Sequence, residues 1–281
     1  MNRKQFSVRL FDWFSKGVLY LWCGFSVFAF IWIFISSLKT NQEFFANTWG
    51  IFKIPQFVNY IKVWCNYNLG ANFFNSLLAV SLSVIGILVV SAPAAYALAR
   101  IEFPGHRLIE RFFILGLGIP YQLLLVPLFF LLFRVKLVDS LWGLALVYIA
   151  LSLPFTIYLL IGFFKTLPHE LEEAAYIDGC SPIKTFLQIM LPLGQAGIIS
   201  AAIFNFVGLW NEFLLANTFI QTQSHFTLSL GLYGMQGSMT YTGDWVSLFA
   251  GFTVVLIPTL IIYIVLSRRI IEGLTLGAVK E

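Results

Sequence analysis

Six long apolar stretches dominate this 281-residue chain and constrain its fold more than any other feature. A helix needs about 20 apolar residues to cross the hydrocarbon core of a bilayer, and each stretch is that long. Glu212 is the only acidic or basic residue within them. The stretches are continuous rather than alternating, which argues against an outer-membrane barrel. We therefore predict an all-α membrane protein, residues 1–281 in a single domain, with six transmembrane helices. The predicted spans are about 18–38, 72–99, 112–133, 140–164, 196–220 and 245–266.

The overall composition excludes several classes of protein. Hydrophobic residues make up 59% of the chain and charged residues 11%, whereas about a quarter of a soluble domain is charged. A disordered chain or a nucleic-acid-binding module needs more charge than this. Three cysteines and three histidines are scattered without metal-ligand spacing, so we expect no metal or cofactor on this chain. No phosphate-binding G-x-x-x-x-G-K-[ST] motif occurs, so the chain is not itself an ATPase.

Lysine and arginine are distributed unequally between the segments that flank the six stretches. Twelve of the 17 basic residues lie in the N-terminal segment, the second-to-third and fourth-to-fifth connections and the C-terminal tail. The other three connections hold five. Basic residues concentrate on the cytoplasmic side of membrane proteins. We therefore predict that both termini face the cytoplasm, which agrees with an even number of spans.

The fourth-to-fifth connection, residues 165–195, has the pattern of two short helices joined by a tight turn. Gly179 suits a left-handed helix end. Ser181 and Pro182 are typical of the cap and first residue of a second helix, which Pro192 is expected to end. The pattern leaves two interpretations open. The connection is either a docking element for a cytoplasmic protein or an amphipathic hairpin that lies at the membrane without a partner.

The sequence E-A-A-Y-I-D-G from Glu173, followed by I-M-L-P ending at Pro192, resembles the EAA loop of ABC-importer permeases. It departs from the family pattern at Cys180, where alanine is usual. Further segments resemble the carbohydrate-uptake branch of that family, to which the maltose importers belong. These segments are N-F-F-N-S-L from Asn72, I-P-Y-Q-L-L-L-V-P-L from Ile119, W-N-E-F-L-L from Trp210 and G-L-T-L-G-A-V-K from Gly273.

This resemblance implies a transport subunit rather than an enzyme, located in the bacterial cytoplasmic (inner) membrane. It implies a second homologous permease, two ATP-binding subunits that carry ATP and Mg²⁺, and an extracytoplasmic solute-binding protein. The implied substrate is a sugar or oligosaccharide. Residues 165–195, here called the coupling loop, and the tail would contact the ATPases. The loop residues are Glu170, Glu173, Ala174, Ala175, Asp178, Gly179 and Pro192, and the tail residues are Gly273, Leu274, Thr275 and Gly277.

Polar and aromatic residues within the third and fifth spans are candidates for a substrate pathway. An acid inside a span is expensive and suggests a function, which singles out Glu212. Its neighbours Trp210 and Asn211, with Tyr121 and Gln122 of the third span, offer hydrogen-bonding groups for sugar hydroxyls and rings for sugar C–H faces. The alternative is that Glu212 bonds a neighbouring helix and serves packing alone.

Three other functions can be weighed against a sugar permease. An ion-coupled secondary transporter needs several ionisable groups within the membrane or broken helices in matching halves, and a single acid disfavours it. An intramembrane enzyme needs a nucleophile with its base, or metal ligands, within the spans, and the sequence shows none. An ABC permease for a non-sugar solute is the closest rival.

Overall fold

The computed structural model describes the backbone of residues 3–278 and the side chains of residues 12–239, 241–261, 263 and 264. Regular secondary structure within residues 3–278 is entirely helical, which confirms the predicted all-α class. Short 3₁₀ turns lie at Tyr121–Leu124 and Gln223–His225, and a π-helical segment lies at Phe186–Met190. The α-helices are α1 (Arg3–Ser37), α2 (Asn41–Ala46), α3 (Val58–Cys65), α4 (Leu69–Arg100), α5 (His106–Leu117), α6 (Leu125–Arg134), α7 (Leu141–Thr166), α8 (Glu170–Ile177), α9 (Pro182–Thr185), α10 (Leu191–Leu193), α11 (Gln195–Trp210), α12 (Leu214–Phe219), α13 (Leu228–Thr242) and α14 (Trp245–Ala278).

Three helices of the described chain are long and apolar enough to cross a membrane without a break, namely Asp12–Ser37 of α1, all of α4 and all of α7. Two bent helix pairs raise that number to five if each pair is counted as one span. They are His106–Leu117 with Tyr121–Arg134, and Pro182–Leu193 with Gln195–Trp210. The described apolar part of α14, Trp245–Ile261, is shorter. The count of six spans and the orientation of the termini therefore stay predictions.

The third and fifth predicted spans differ from expectation because their helices are broken. Residues His106–Leu117 and Tyr121–Arg134 meet at an angle of 93°. Pro120 causes this break, since it has no N–H to donate and disfavours helical backbone at the residue before it. In the fifth span, α11 ends at Trp210 and α12 begins only at Leu214.

The fifth-to-sixth connection is mostly helical, although it is polar and rich in glycine. Most of it forms α13, a helix of 15 residues. Each glycine costs a helix about 1 kcal/mol relative to alanine, but tertiary contacts routinely override such preferences.

Internal contacts divide the chain into two compact units. The first combines the described residues up to Leu69 with Leu232–Leu256. It holds an aromatic cluster around Trp32 of α1, whose ring centroid lies 5.2 Å from that of Phe249 and 5.5 Å from that of Trp49. Aromatic side chains of this kind are enriched where a protein crosses the membrane–water interface.

A buried carboxylate fixes the start of α14 within the first unit. Asp244 accepts hydrogen bonds from the Lys62 ammonium group, from the Asn41 amide at 3.0 Å and from the Ser247 hydroxyl at 2.8 Å. Burial alone would raise the pKa of Asp244, but these hydrogen bonds outweigh it and leave the pKa below its usual value. The bond to Asp244 raises the pKa of Lys62 in turn. The pair therefore stays ionised and connects α3 to α14.

The second unit, Gly70–Gly231 with the rest of α14, contains two apolar cores. One core joins α4, α7 and α11 to the coupling loop, and its fully buried members include Ala95, Leu160, Met190 and Ala201. The other core joins α6, α7 and α12 around residues such as Leu144, Tyr148, Ala216 and Phe219. The helix α7 thus contributes to both cores, one towards each of its ends.

Candidate functional site

The turn of the coupling loop has the geometry that its sequence predicts. Gly179 follows α8 with a φ of +77°. The Cys180 N–H donates to the Ala175 carbonyl oxygen at 2.9 Å, and the Gly179 N–H donates to that of Tyr176 at 3.0 Å. These two bonds form a Schellman motif, which closes a helix through a left-handed residue. The Ser181 hydroxyl then accepts from the Lys184 N–H at 3.4 Å and starts the second helix.

Pro192 does not end that second helix, contrary to prediction. Helical structure runs from Pro182 to Leu193, with a π-helical segment in its middle and Pro192 inside its last turn. The Leu191 N–H donates to the carbonyl oxygen of Phe186, five residues earlier. Pro192 has no N–H group for an ordinary helical hydrogen bond. The longer hydrogen bonds of the π-helical segment before it allow the helix to continue through the proline. The sharp change of direction, 73°, comes between Leu193 and Gln195 instead.

The coupling loop presents acidic and apolar side chains on its outer surface. Large apolar side chains stand out beside the turn, with Ile177 86% and Ile183 73% exposed. Ala175 is buried, so one of the two alanines of the motif packs inwards. Of the residues that the resemblance implies, Glu170, Glu173, Ala174, Asp178, Gly179 and Pro192 are exposed.

Sequence reasoning missed an inward-facing ion pair at the base of the loop. Glu172 lies between the two exposed glutamates, but its side chain is buried with Ala175 on the inner face of α8. Its Oε2 lies 3.7 Å from Nε of Arg100, the last residue of α4. Glu172 and Ala175 are three residues apart and therefore lie on one helix face. This spacing was the sequence signal that could have predicted that Glu172 faces inwards.

The break in the fifth span is built around the Glu212 carboxylate. Oε1 accepts a hydrogen bond from the Leu215 N–H at 2.6 Å, and Oε2 accepts one from the Ala216 N–H at 3.1 Å. The Tyr148 hydroxyl of α7 donates to Oε2 at 2.7 Å. Glu212 therefore satisfies the free N–H groups at the start of α12 and ties that helix to α7.

The other candidate pathway residues differ in their exposure. Trp210 is buried, and its ring stacks on Phe206 with centroids 5.6 Å apart. Asn211 is exposed and donates to the Val207 carbonyl oxygen at 2.8 Å. Tyr121 and Gln122 are exposed at the break of the third span. Of the four residues, only Trp210 is therefore buried.

The candidate tail residues lie in the last turns of α14, and their side chains fall outside those that the structure describes. Contact between this tail and an ATPase stays a prediction. The residues concerned are Gly273, Leu274, Thr275 and Gly277.

Asp139 joins the third-to-fourth connection to the fifth-to-sixth connection. Its Oδ1 accepts from the Gln221 and Thr222 N–H groups, each at 2.9 Å, and its Oδ2 accepts from the Thr222 hydroxyl. Oδ1 also lies 3.6 Å from Nδ1 of His225. Partial burial alone would raise the pKa of Asp139, but the hydrogen bonds dominate and lower the pKa to about 2.

A family comparison accounts for most of this chain. Residues 91–272 match the family described as binding-protein-dependent transport system inner membrane component. The matched region contains the coupling loop and both helix breaks. It therefore includes most of the candidate functional residues identified above.

Individual relatives extend the similarity to almost the full length. A diacetylchitobiose uptake system permease protein of Streptomyces coelicolor is 38% identical over 98% of this chain and 91% of its own length. A trehalose transport system permease protein of Mycobacterium tuberculosis is 34% identical over 92% of this chain and 93% of its own.

A solved structure shares the fold. It belongs to a bacterial ABC transporter involved in the import of the acidic polysaccharide alginate. The match has a TM-score of 0.79 and 19% identity, and covers 95% of this chain and 98% of the other. The family match, the two relatives and this shared fold lead to one assignment. The chain belongs to the inner membrane components of binding-protein-dependent transport systems, and is a multi-pass permease of the ABC-importer type.

Proposed function

We propose that this chain forms half of the pathway through which an ATP-driven importer carries a sugar or oligosaccharide into the cell. The names of the relatives support the substrate class, since they are permeases for diacetylchitobiose and trehalose. A second homologous permease supplies the other half of the pathway. Two cytoplasmic subunits bind ATP and Mg²⁺, and an extracytoplasmic binding protein delivers the solute.

The geometry of the coupling loop is the observation that carries the mechanism. The loop is a helix–turn–helix whose turn is held by the two bonds of the Schellman motif. Such a unit moves as one body when a partner pushes on it. The loop continues directly into α7 on one side and α11 on the other. Closure of the ATPases on ATP therefore tilts these helices, provided that ATP favours one of the two states.

The charge on the outer face of α8 favours docking to a protein over lying on the membrane. Glu170, Glu173 and Asp178 are all exposed there. The cytoplasmic leaflet is itself negatively charged and attracts basic segments rather than acidic ones. Exposed apolar side chains such as Ile177 beside these acids suit a protein interface. We therefore favour the docking interpretation.

The two helix breaks support a pathway within the second unit. Non-helical backbone at membrane depth is tolerated where it is buried in protein or lines a water-filled cavity. Asn211, Tyr121 and Gln122 are exposed at these breaks and can bond sugar hydroxyls. Glu212 fixes the geometry of the fifth-span break through three hydrogen bonds. Trp210 would have to leave its contact with Phe206 before its ring could stack on a sugar.

Reconstitution with a panel of solutes tests this proposal. The complete complex is placed in liposomes with ATP, and uptake of labelled trehalose, diacetylchitobiose and maltotriose is compared with uptake of glutamine and phosphate. We expect ATP-dependent accumulation of one of the sugars. A complex whose ATPase subunits cannot hydrolyse ATP is the control and should accumulate nothing. Uptake of glutamine or phosphate alone would contradict the sugar assignment.

A further inference from the structure

The cytoplasmic ends of α4 and α7 and the coupling loop meet at one arginine. The side chain of Arg100 is 1% exposed, and its Nε faces the Glu172 carboxylate of α8, whose side chain is 8% exposed. The Nη2 of the same guanidinium donates to the carbonyl oxygen of Leu167, which caps the end of α7. A single side chain therefore contacts α8 and the end of α7 while it belongs to α4.

The surroundings make this pair difficult to separate. Among the described residues, Nε and Nη1 of Arg100 and Oε1 of Glu172 have no hydrogen-bond partner. Glu172 has two further polar neighbours, since its Oε2 also lies 3.7 Å from Nδ1 of the exposed His169 and the Tyr96 hydroxyl of α4 interacts with the same carboxylate. Separating Glu172 from Arg100 still leaves a buried guanidinium uncompensated in a medium of low polarity. By contrast, the nearby Lys165–Glu110 pair is partly exposed, with 50% and 23% of the two side chains accessible, and water can replace either partner.

A second contact links α4 to the coupling loop. Tyr96 lies one turn before Arg100, so both side chains project from the same face of α4. The ring of Tyr96 packs on that of Phe186, in the second helix of the coupling loop, with centroids 5.0 Å apart. It also packs on Phe164 of α7, at 5.8 Å. The end of α4 is therefore held by an ion pair and by aromatic packing.

We infer that Arg100 and Glu172 are positioning residues that make α4 move together with the coupling loop during transport. This inference rests on the proposed coupling role of the loop. The helices α7 and α11 are already joined to the loop by the chain itself, and the Arg100–Glu172 pair would make α4 a third helix that moves with it. Motion imposed on α8 then reaches three helices of the second unit rather than two.

Distance measurements between spin labels test this inference. Labels at Ile101, at the end of α4, and at Ile177, at the end of α8, are both exposed. The complete complex is measured without nucleotide and with a non-hydrolysable ATP analogue. With the pair intact, we expect one narrow Ile101–Ile177 distance distribution that is the same in both states. In Glu172→Gln we expect the distribution to broaden or to shift with nucleotide.

Transport and rescue provide a second readout. Glu172→Gln should lower the solute accumulated per ATP hydrolysed by about tenfold. The charge exchange of Arg100→Glu with Glu172→Arg should restore part of both signals. Glu110→Gln, which breaks the exposed pair on the same side, is the matched control and should change neither. If Glu172→Gln does not reach the membrane, Arg100→Lys keeps the charge but loses the planar fork, and should broaden the distribution to a smaller extent.

Two results would overturn the inference. One is a narrow, nucleotide-independent distribution in Glu172→Gln with an unchanged ratio of transport to hydrolysis. The other is an Ile101–Ile177 distance that changes with nucleotide while the pair is intact. Failure of the proposed function looks different, because wild-type complexes would then show no ATP-dependent uptake, whatever the distance between the labels.

Discussion

Glu212 shows how one side chain can compensate for a broken helix inside a membrane. An acid within a span is costly unless it is paired or bonded. Here the cost is offset by three hydrogen bonds, two from backbone N–H groups and one from the Tyr148 hydroxyl. A negative charge at the N-terminus of a helix is also favourable. Asn211 comes directly before Glu212 and is exposed. Glu212 can therefore stabilise the helix break and also lie beside the pathway.

We expect Glu212→Ala to lower the free energy of unfolding of the purified complex by about 2 kcal/mol. The change removes a helix cap and leaves the Tyr148 hydroxyl without its acceptor. Uptake should fall more than recovery of the complex, because the break would lose its shape. Thermal unfolding in detergent and uptake in liposomes measure the two effects. Asn217→Ala is the matched stability control, since Asn217 lies in the same helix α12 and its side chain is exposed. Wild-type unfolding of Glu212→Ala would refute the capping role.

At the scale of elements, the turn at Gly179 decides the angle between the two helices of the coupling loop. Its φ of +77° costs a residue with a Cβ about 1 kcal/mol, and a β-branched residue more. Among the described residues, none beyond the two chain neighbours of Gly179 has an atom within 4 Å of the position that a Cβ would take, so the cost is conformational rather than steric. We expect Gly179→Val to insert normally but to uncouple ATP hydrolysis from uptake.

Stimulation of the ATPase by the solute-binding protein, measured together with uptake, checks this prediction. Gly162→Ala is the control, because Gly162 lies inside α7, also has open space at its Cβ position and does not have a positive φ. Normal stimulation together with normal uptake in Gly179→Val would mean that the turn does not set the coupling geometry.

The Asp139 contact predicts how two connections respond to pH. The pKa of Asp139, about 2, lies below its ordinary value of 3.8. The ionised carboxylate therefore stabilises the contact between the two connections above about pH 4, and this stabilisation is lost as the pH falls through 2. Protection of the Gln221 and Thr222 amides from hydrogen exchange should therefore be equal at pH 4.5 and pH 5.5. Asp139→Asn should reduce that protection by about 1 kcal/mol. Lys136→Gln, in the same connection, should not. Protection that differs between pH 4.5 and pH 5.5 would contradict this account.

At the scale of the whole molecule, the distribution of basic residues predicts the topology, and the cysteines provide a test. Cys65 is exposed in a connection predicted to lie outside, whereas Cys180 belongs to the coupling loop. In variants with one cysteine each, a membrane-impermeant maleimide applied to intact spheroplasts should label Cys65 but not Cys180. A cysteine at Lys280, in the tail, should react only after the membrane is opened. Labelling of Lys280→Cys in closed spheroplasts would reverse the predicted orientation.

The sequence by itself determined the membrane class, the local structure of the coupling turn and the family. Long uncharged runs admit only helices in lipid, because no water is available to bond a free backbone. The turn was predictable because Gly179, Ser181 and Pro182 act through local backbone preferences that do not depend on distant residues. The family resemblance was predictable because its motifs are contiguous in the chain.

Tertiary structure alone decided where the helices break and which charges are paired. The third and fifth spans look continuous in sequence, since a proline or an acid within a span can be accommodated in more than one way. The Tyr148–Glu212 bond joins residues 64 positions apart, and Arg100 and Glu172 come from different helices. Of three glutamates in the first turn of α8, packing selects Glu172 as the buried one. Such pairings depend on how the helices pack against each other, and no local pattern encodes that packing.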